Sequence, residues 1–356
     1  MSVRKLGFLV FGLFLTACTF PGVVAPNRLP DNLISNITGE GQVVEVTTDP
    51  NAVTPTPFLP IIPTAQPDQP TPTPIPPNVW GDYLGPTAPP NVEIPPPVDM
   101  LEQPAGQVNI LLMGSDLRPT GGGYRTDAIL LVTINPQDGS VHVTSFPRDL
   151  YVYIPGWTMQ RINTAMQHGD FEMVQDTFAY NFGVIPDHYI LIHLFAFQYV
   201  VDNIGGVYVN VGRTITDQRE GYGEDYTMRQ GVQWMDGETA LWYVRARKTS
   251  SDFDRTRRQQ EVLIAIFNRL ASLDGIRRAP ELFELYSDNV VTDLGFSDLT
   301  SLVGVGARVS DDPDLIETYA VGSADITFFR TNTGASVLLP KRDNITTIIK
   351  DALNAR

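Results

Sequence analysis

Apolar runs of strand length open the part of the chain that begins near residue 106. The runs at 107–114 and 127–135 are short, continuous and rich in β-forming residues, which predicts two buried strands. Residues 139–147 alternate between apolar and polar, which predicts the outer strand of a hairpin that turns at 135–139. The pattern therefore predicts a sheet at the start of this region.

Helical patterns follow and interleave with further strands. Apolar residues recur every three to four positions from Arg161 to Phe182, which predicts a helix, and residues 256–273 predict a longer amphipathic helix. The other predicted elements are a strand at 185–194, a helix at 195–204, a short helix at 237–241, a helix at 298–309, a strand region at 317–328 and a helix at 342–353. This interleaving predicts an α/β fold in which a mixed central β-sheet is covered by helices on both faces.

The first 18 residues have the pattern of an export signal. Basic Arg4 and Lys5 precede an apolar run from Phe8 to Leu15, which is too short to span a membrane. The last four residues, ending at Cys18, resemble a bacterial lipobox, in which the cysteine is lipidated and becomes the mature N-terminus. Cys18 is the only cysteine, so internal disulfides and cysteine metal sites are excluded, and a free thiol is the alternative to lipidation.

Residues 19–104 show no lasting periodic pattern, and the stretch 55–97 is dense in proline. Proline disfavours helices and removes backbone donors that a sheet needs, so a disordered, extended linker is predicted. The alternative is a small folded unit around 79–84, which has little apolar material to bury. At about 3.1 Å per residue the linker would reach roughly 260 Å if fully extended, so the domain predicted at 105–356 could act far from its anchor.

The chain is acidic, with a formal net charge of −15, which argues against nucleic acid as a partner. The segment 245–258 reverses this balance, because it contains Arg245, Arg247, Lys248, Arg255, Arg257 and Arg258 beside only Asp252 and Asp254. Guanidinium groups repel one another and bind phosphate through paired hydrogen bonds, so the cluster predicts a bound anion that carries several charges. A solvated basic helix face is the alternative.

The local pattern indicates how this cluster could be assembled. Arg245 and Arg247 alternate after the apolar run 241–244, so an extended segment would point both side chains the same way. A loop follows, and Asp254 is predicted to cap the helix that carries Arg255. The N-terminus of that helix would also offer free backbone N–H groups to an anion.

Two carboxylates are predicted at adjacent strand ends. Asp116 comes just after the first strand, and Asp127 opens the second strand beside Arg125. Together they could share one hard cation with water completing its coordination, whereas ordinary turn chemistry is the alternative for either residue alone. Arg148 lies at the exit of the third strand, because Pro147 ends the strand ladder. Ligands of such α/β sheets gather at strand ends.

In chain order, these motifs resemble the LytR-CpsA-Psr family. The resemblance covers about residues 108–273 and rests on the segments 125–127, 147–149, 161–163, 202–206, 245–247 and 255–260. Members of that family are extracytoplasmic enzymes that move a glycopolymer from a polyprenyl pyrophosphate carrier onto peptidoglycan or a similar acceptor. Many of them are anchored by a transmembrane helix, whereas this chain is expected to be a lipoprotein held at the outer face of the cell membrane through Cys18.

The resemblance also implies a site. Mg²⁺ is expected near Asp116 and Asp127, and the prenyl tail is expected in an apolar tunnel between sheet and helices, where the predicted helix 195–204 has almost no polar face. The residues expected to be catalytic are Asp127, Arg148, Arg245, Arg247 and Arg255. Further pyrophosphate contacts are expected from Arg125, Arg161, Arg258 and Gln259. The family often has lysine at the position of Arg161, which keeps the charge but changes its shape.

The expected reaction is phosphoryl transfer. An acceptor sugar hydroxyl attacks a phosphorus of the carrier pyrophosphate and prenyl phosphate leaves, so the protein must position the reacting groups and neutralise oxygens. Asp127 or Asp116 could accept the hydroxyl proton. Two alternatives stay open: a hydrolase that admits water in place of the sugar, and a non-catalytic protein that binds lipid-linked polymer.

Overall fold

The computed structural model describes residues 83–116, 125–219, 221, 223–248, 251–272 and 290–355. The predicted signal peptide with Cys18 and the linker residues 19–82 lie outside these ranges. Among the described helices, none combines the length and the apolar composition that crossing a membrane requires.

Strands and helices alternate through the described residues. In chain order they are β1 (Val108–Ser115), β2 (Thr126–Ile134), β3 (Val141–Ser145), β4 (Tyr151–Tyr153), β5 (Met159–Arg161), α1 (Ala165–Phe182), β6 (His188–His193), α2 (Leu194–Asn203), β7 (Val207–Val211), β8 (Ile215–Gln218), β9 (Asp225–Met228), β10 (Gly231–Met235), α3 (Gly237–Arg245), α4 (Asp252–Ser272), β11 (Val290–Thr292), α5 (Phe296–Asp311), β12 (Ile316–Ala320), β13 (Ile326–Arg330), β14 (Ser336–Pro340) and α6 (Arg342–Asn354).

The central sheet has six strands in the order β11-β6-β1-β2-β3-β12. Strands β1 and β2, β2 and β3, and β6 and β11 pair antiparallel, whereas β1 and β6, and β3 and β12, pair parallel. The prediction of a mixed central sheet in an α/β fold is thus confirmed. Several details differ from the sequence prediction. The strand region at 317–328 contains two strands separated by a short 3-10 turn. The four short strands between 207 and 235 were not predicted, and neither were β4, β5, β11 and β14.

Helices cover both faces of this sheet. On one face, Leu111 and Leu131 pack with Phe178 of α1 and Ile349 of α6. On the other face, Ile110 and neighbouring strand residues pack with α5. Alternate residues of a strand point to opposite faces, so the continuous apolar runs of β1 and β2 supply both cores. Full burial of each such side chain stabilises the fold by about 1.5 to 3 kcal/mol.

Helix α4 is held against the sheet and a second layer at once. Gln260 is buried and donates from its amide to the carbonyls of Val143 at 3.2 Å and Tyr319 at 2.6 Å, which ties the helix to β3 and β12. On another side, Val262 and Ala265 pack in a cluster with β7, β10, α2 and α3. Because these two sets of contacts hold α4 in one orientation, the direction of the face that carries Arg255 and Gln259 is also fixed.

Residues 83–104 pack on the domain, which corrects the predicted boundary of the linker. The hydroxyl of Tyr153 donates to the carbonyl of Leu84 at 2.6 Å, and the hydroxyl of Tyr180 donates to the carbonyl of Pro95 at 2.7 Å. Burial raises the pKa of Tyr153 to about 12, so this donor stays protonated. A proline-rich segment lacks donors but keeps its carbonyls, so it can be fixed where the domain supplies hydroxyl groups.

Gly183 allows the end of this segment to come close to α1. It ends the helix with a φ of +71°, a left-handed conformation that favours glycine. Its carbonyl accepts from the amide of Leu101 at 2.7 Å, and a Cβ added to it would lie 2.3 Å from the carbonyl oxygen of Asp99. The turn and the close approach therefore both require glycine.

Shortening Ile94 tests whether residues 83–104 belong to the folded domain. Ile94 is 5% exposed and packs with Tyr151, Tyr153 and Tyr180. We expect Ile94→Ala to lower the free energy of unfolding by about 2 to 4 kcal/mol, through lost burial and the cavity that remains. Urea unfolding measures this loss, and Glu93→Ala, an exposed neighbour, should change it by less than about 0.5 kcal/mol. Equal stability of both variants and wild type would place this segment outside the domain.

Candidate active site

A cavity of about 770 Å³ lies between the central sheet and helices α2 to α5. Most of its wall is apolar. Strands β1, β2 and β6 contribute Leu112, Leu130 and Ile190, and the helices contribute Phe197, Val200, Leu241, Val244, Val262, Leu263, Ile266, Phe267, Leu270, Leu299 and Leu302. The predicted helix at 195–204, now α2, therefore lines a cavity with part of its surface. An apolar cavity of this kind excludes water from whatever it binds.

One end of the cavity is charged. The polar residues there include Asp116, Asp127, Arg148, Arg245, Arg247, Arg255 and Gln259, and we refer to these seven as the charged end. They come from the residue after β1, the start of β2, the turn after β3, the end of α3, the segment that follows α3 and the first half of α4. Gly114 and Ala128 pair across β1 and β2 next to the carboxylates, and a Cβ on Gly114 would lie 3.1 Å from that of Ala128. Small side chains thus leave room where the apolar and charged parts meet.

An irregularity in the pairing of β1 with β2 places the two carboxylates. Gly114 is opposite Ala128 and Ser115 is opposite Thr126, so Asp127 is the extra residue of a bulge. Bulges of this type redirect a side chain out of the regular ladder. Asp127 accepts from Nη1 of Arg148 at 2.6 Å, whereas Oδ1 of Asp116 is buried and has no hydrogen-bond partner among the described residues.

These two carboxylates have the chemistry of a Mg²⁺ site. The buried oxygen of Asp116 has no donor within the part of the chain that the structure describes, and a cation is one group that would satisfy it. The described residues contain no cluster of three or more His, Cys, Asp or Glu side chains that could hold a metal ion. Mg²⁺ commonly binds one or two carboxylates and completes its coordination with water and phosphate oxygens, so Asp116 and Asp127 fit that pattern.

Asp149 links two of the predicted arginines. Its carboxylate lies 3.5 Å from Nε of Arg148 and 2.8 Å from Nε of Arg161. Burial acts to lower the pKa of Arg148, but the hydrogen bond and charge of Asp127, with the charges of Asp149 and Asp252, outweigh it and raise that pKa. Arg148 therefore stays cationic at the cavity. Arg161 instead donates to the carbonyl of Ser336 at 2.9 Å and does not line the cavity, and the exposed Arg125 does not line it either.

The basic segment is organised differently from the sequence prediction. Residues 242–245 are helical, since α3 extends to Arg245, so Arg245 and Arg247 do not alternate along an extended element. Helix α4 begins at Asp252, two residues before the predicted cap, and Asp254 accepts from the amide and hydroxyl of Ser251 at 3.3 Å. Arg245, the last residue of α3, and Arg247, two residues beyond it, nevertheless both line the cavity.

Asp252 connects the arginines on either side of this turn. Its Oδ1 lies 3.3 Å from Nη2 of Arg247 and 3.3 Å from Nη1 of Arg255. Burial lowers the pKa of Arg255, and the nearby charges of Arg148 and Arg247 lower it further against the opposing effect of Asp252. The charged end thus holds more positive charge than its carboxylates balance, which favours an anionic ligand.

Arg258 supports the backbone and is not brought to the cavity, which corrects its expected role. It is 1% exposed, and its guanidinium donates to the carbonyls of Tyr243 at 2.8 Å and of Ala246. On α4, Arg255, Gln259 and Val262 recur at helical spacing and face the cavity, whereas Arg258 lies on the side that faces α3. Burial lowers the pKa of Arg258, so its carbonyl partners are needed to hold the charge.

Sequence reasoning missed His193 as a residue of the site. It ends β6 opposite Ser115 of β1 and lines the cavity. Its position at the end of a strand that neighbours Asp116 was the available signal, but the parallel pairing of β1 with β6 could not be deduced from spacing alone.

An apolar cavity that ends at arginines and carboxylates offers the two environments that an amphiphile with a multiply charged anionic head group requires. The LytR_cpsA_psr family model matches residues 90–352. The chain belongs to this family, and the resemblance inferred from its sequence motifs is confirmed.

Relatives in this family carry names that describe a transferase. The polyisoprenyl-teichoic acid–peptidoglycan teichoic acid transferase TagU of Oceanobacillus iheyensis is 35% identical over 221 residues, which are 59% of this chain and 67% of the relative. TagU of Bacillus subtilis is 32% identical over 194 residues, 54% of this chain and 61% of the relative. The matches therefore span between about three fifths and two thirds of these relatives.

Solved structures share the fold. The crystal structure of B. subtilis TagV matches with a TM-score of 0.59 and 22% identity over 70% of this chain and 98% of that one. A structure of TagT bound to LI-WTA matches with a TM-score of 0.54 and 25% identity over 69% of this chain and 89% of that one.

Removing the Arg258 guanidinium should destabilise the protein. We expect Arg258→Met to lower the free energy of unfolding by about 2 to 5 kcal/mol, because two carbonyls lose their donor and only part of the packing is kept. Thermal or urea unfolding measures the loss. Arg213→Met, which removes an arginine that is 71% exposed, is the matched control and should change stability by less than about 0.5 kcal/mol. An Arg258→Met protein as stable as this control would contradict the structural role.

Proposed function

We propose that this protein transfers a glycopolymer from a polyprenyl pyrophosphate carrier onto peptidoglycan or another acceptor of the cell envelope. The observation that carries the proposal is the junction of an apolar cavity with a cluster of arginines and carboxylates at one end. A prenyl chain and a pyrophosphate need these two environments side by side. The names of the related TagU proteins, which specify a polyisoprenyl carrier and a peptidoglycan acceptor, point to the same class of substrates.

The chain's own residues would act mainly by position and charge. Arg148, Arg247 and Arg255 would orient the pyrophosphate and neutralise oxygens that gain charge as the acceptor hydroxyl attacks phosphorus. A new bond forms between that hydroxyl oxygen and phosphorus, the bond from this phosphorus to the bridging oxygen breaks, and prenyl phosphate leaves. The hydroxyl proton passes to a base, and we assign that role to Asp127 or Asp116, both at the charged end.

Asp116 and Asp127 would also hold Mg²⁺. When bound there, the ion would supply further charge neutralisation to the phosphate oxygens. The buried oxygen of Asp116, for which the described ranges offer no hydrogen-bond partner, supports this assignment. A carboxylate that binds the ion is a weaker base, so the two residues are expected to divide the roles of ligand and proton acceptor.

We further propose that the protein acts at the outer face of the cell membrane as a lipoprotein. The lipobox-like sequence that ends at Cys18 supports this, as does the proline-rich stretch that follows it. Cys18→Ala should leave the domain folded and release it from membranes. Membrane fractionation in which the variant stays firmly bound would refute lipid attachment through Cys18.

Product analysis tests the proposed reaction. The purified protein is incubated with a short lipid-linked saccharide and a peptidoglycan acceptor, with Mg²⁺ or with a chelator. We expect saccharide joined to the acceptor through a phosphodiester, together with prenyl phosphate, only when Mg²⁺ is present. Free saccharide phosphate would mean that the protein is a hydrolase, and unchanged lipid would mean that it only binds the carrier.

Replacing Arg247 by lysine tests the contact with pyrophosphate. The change keeps the charge but removes the planar fork, so we expect transition-state stabilisation to fall by about 2 to 4 kcal/mol in the transfer assay. Thermal stability should stay close to wild type, because the side chain is 51% exposed and its ion pair to Asp252 is long. Arg213→Lys, which lies outside the cavity lining, is the control for a general basic surface. Transfer at the wild-type rate by Arg247→Lys would remove this residue from the site.

A further inference from the structure

The backbone around Arg247 is held more firmly than its side chain. Arg247 lies in the connection between α3 and α4, and the ion pair of its guanidinium with Asp252 is 3.3 Å long and partly exposed. Such an ion pair contributes little to fixing a long side chain. The direction in which the guanidinium enters the charged end must therefore depend on how the backbone is held.

A carboxylate from a distant part of the sequence accepts hydrogen bonds from the backbone amides of this connection. Oδ2 of Asp217, on β8, accepts from the backbone N–H of Arg247 and, at 2.8 Å, from that of Lys248. Two consecutive N–H groups that converge on one anion fix the local backbone conformation. Burial acts to raise the pKa of Asp217, but hydrogen bonds from the amides of Lys248, Arg247 and Gln218 outweigh it and lower that pKa, so the carboxylate stays charged at neutral pH.

Other residues of the β8–β9 hairpin contact the end of α3 and the residues that follow it. The indole of Trp242 donates to the carbonyl of Gln218 at 2.9 Å, and its ring packs edge-on against Tyr226 at 4.9 Å. The ammonium group of Lys248 lies 2.6 Å from a carboxylate oxygen of Asp225. These contacts keep the hairpin in place beside the charged end.

Arg258 holds the opposite side of the same backbone. It donates to the carbonyls of Tyr243 and Ala246, just before Arg247, while Asp217 accepts from the amides of Arg247 and Lys248. The buried guanidinium of Arg258 thus donates to the carbonyls on one side of this backbone, and the carboxylate of Asp217 accepts from the amides on the other. Between these two contacts, the backbone of Arg247 has little freedom to rotate.

We propose that Asp217 is a positioning residue for the transferase, and that it acts by fixing the backbone of Arg247 so that the guanidinium meets the carrier pyrophosphate. This role rests on the proposed function. Asp217 itself does not line the cavity and is not expected to touch the substrate. Its removal should therefore have a consequence only through Arg247.

A double-mutant cycle tests this dependence. The full chain is compared as wild type, Asp217→Ala, Arg247→Ala and the double variant, with transfer from a short lipid-linked saccharide as one readout and calorimetric binding of inorganic pyrophosphate as the other. We expect Asp217→Ala to lower kcat by about 10- to 100-fold, as misplacement of a contact by about 1 Å does. The double variant should lose no more than Arg247→Ala alone, because Asp217 acts through that residue.

Two further variants separate positioning from general stability. Asp217→Asn keeps an oxygen that can accept from the two amides but removes its negative charge, so it should recover part of the lost kcat. It replaces the alanine variant if the latter does not fold. Glu224→Ala removes a negative charge from the same hairpin and should match wild type in both readouts. Thermal unfolding of each variant shows whether a loss of kcat or of pyrophosphate binding is explained by lower stability rather than by a misplaced Arg247.

The outcomes distinguish the two proposals. If Arg247→Ala lowers transfer and pyrophosphate binding while Asp217→Ala and Asp217→Asn lower neither, the positioning role is wrong and the proposed function stands. If the losses of Asp217→Ala and Arg247→Ala multiply in the double variant, Asp217 acts independently and the positioning role is also wrong. If Arg247→Ala itself changes neither readout, the proposed contact with pyrophosphate fails, and the role of Asp217 fails with it.

Discussion

Repulsion among the arginines at the charged end has to be offset by the fold itself. Arg148, Arg247 and Arg255 line one end of a single cavity, and two like charges about 4 Å apart repel by about 4 kcal/mol at an effective dielectric constant near 20. The carboxylates that offset this repulsion come from different elements, Asp127 from β2 and Asp252 from α4. The arginines can therefore lie close together only when the sheet and α4 are both folded. The charged end depends on the fold of the whole domain.

The carboxylates offset the charge of the arginines only in part, so the charged end favours a ligand that supplies the remaining charges. Arg255 is buried and its pKa is lowered by that burial, and one oxygen of Asp116 is buried with no partner among the residues that the structure describes. A pyrophosphate accompanied by a divalent cation would satisfy both groups, because it brings negative charge to the arginine and positive charge to the carboxylate. The apolar wall adds the complementary requirement for a hydrocarbon chain. Binding of such a ligand would therefore stabilise the site. Because the arginines and carboxylates are already held in position, little ordering free energy is lost when the ligand binds.

The sequence predicted five of the six strands of the central sheet and the types of residue in the site, because continuous apolar runs and an arginine cluster in an acidic chain are local signals. It did not predict β11, whose three residues are too few to give a pattern. It could not separate Arg255 from Arg258, since both lie at the start of α4 and only the packing of α3 decides which one reaches the cavity. The bulge that redirects Asp127 depends on the register of β1 against β2, which spacing along the chain does not reveal. The sequence predicts a linker at 83–104 because its proline content argues against helices and strands. It does not reveal that the carbonyls of this segment accept hydrogen bonds from Tyr153 and Tyr180.

Binding of a matched series of prenyl compounds tests most directly whether the apolar cavity and the charged end form one site. Geranylgeranyl pyrophosphate, geranylgeranyl monophosphate, geranylgeraniol and inorganic pyrophosphate are compared by calorimetry with the full chain in the presence of Mg²⁺. We expect the prenyl pyrophosphate to bind at least about a hundredfold more tightly than either the alcohol or inorganic pyrophosphate, because only it engages both parts, and we expect salt to weaken its binding. Equal affinity for the alcohol and the pyrophosphate, or for inorganic and prenyl pyrophosphate, would contradict a single site with two environments.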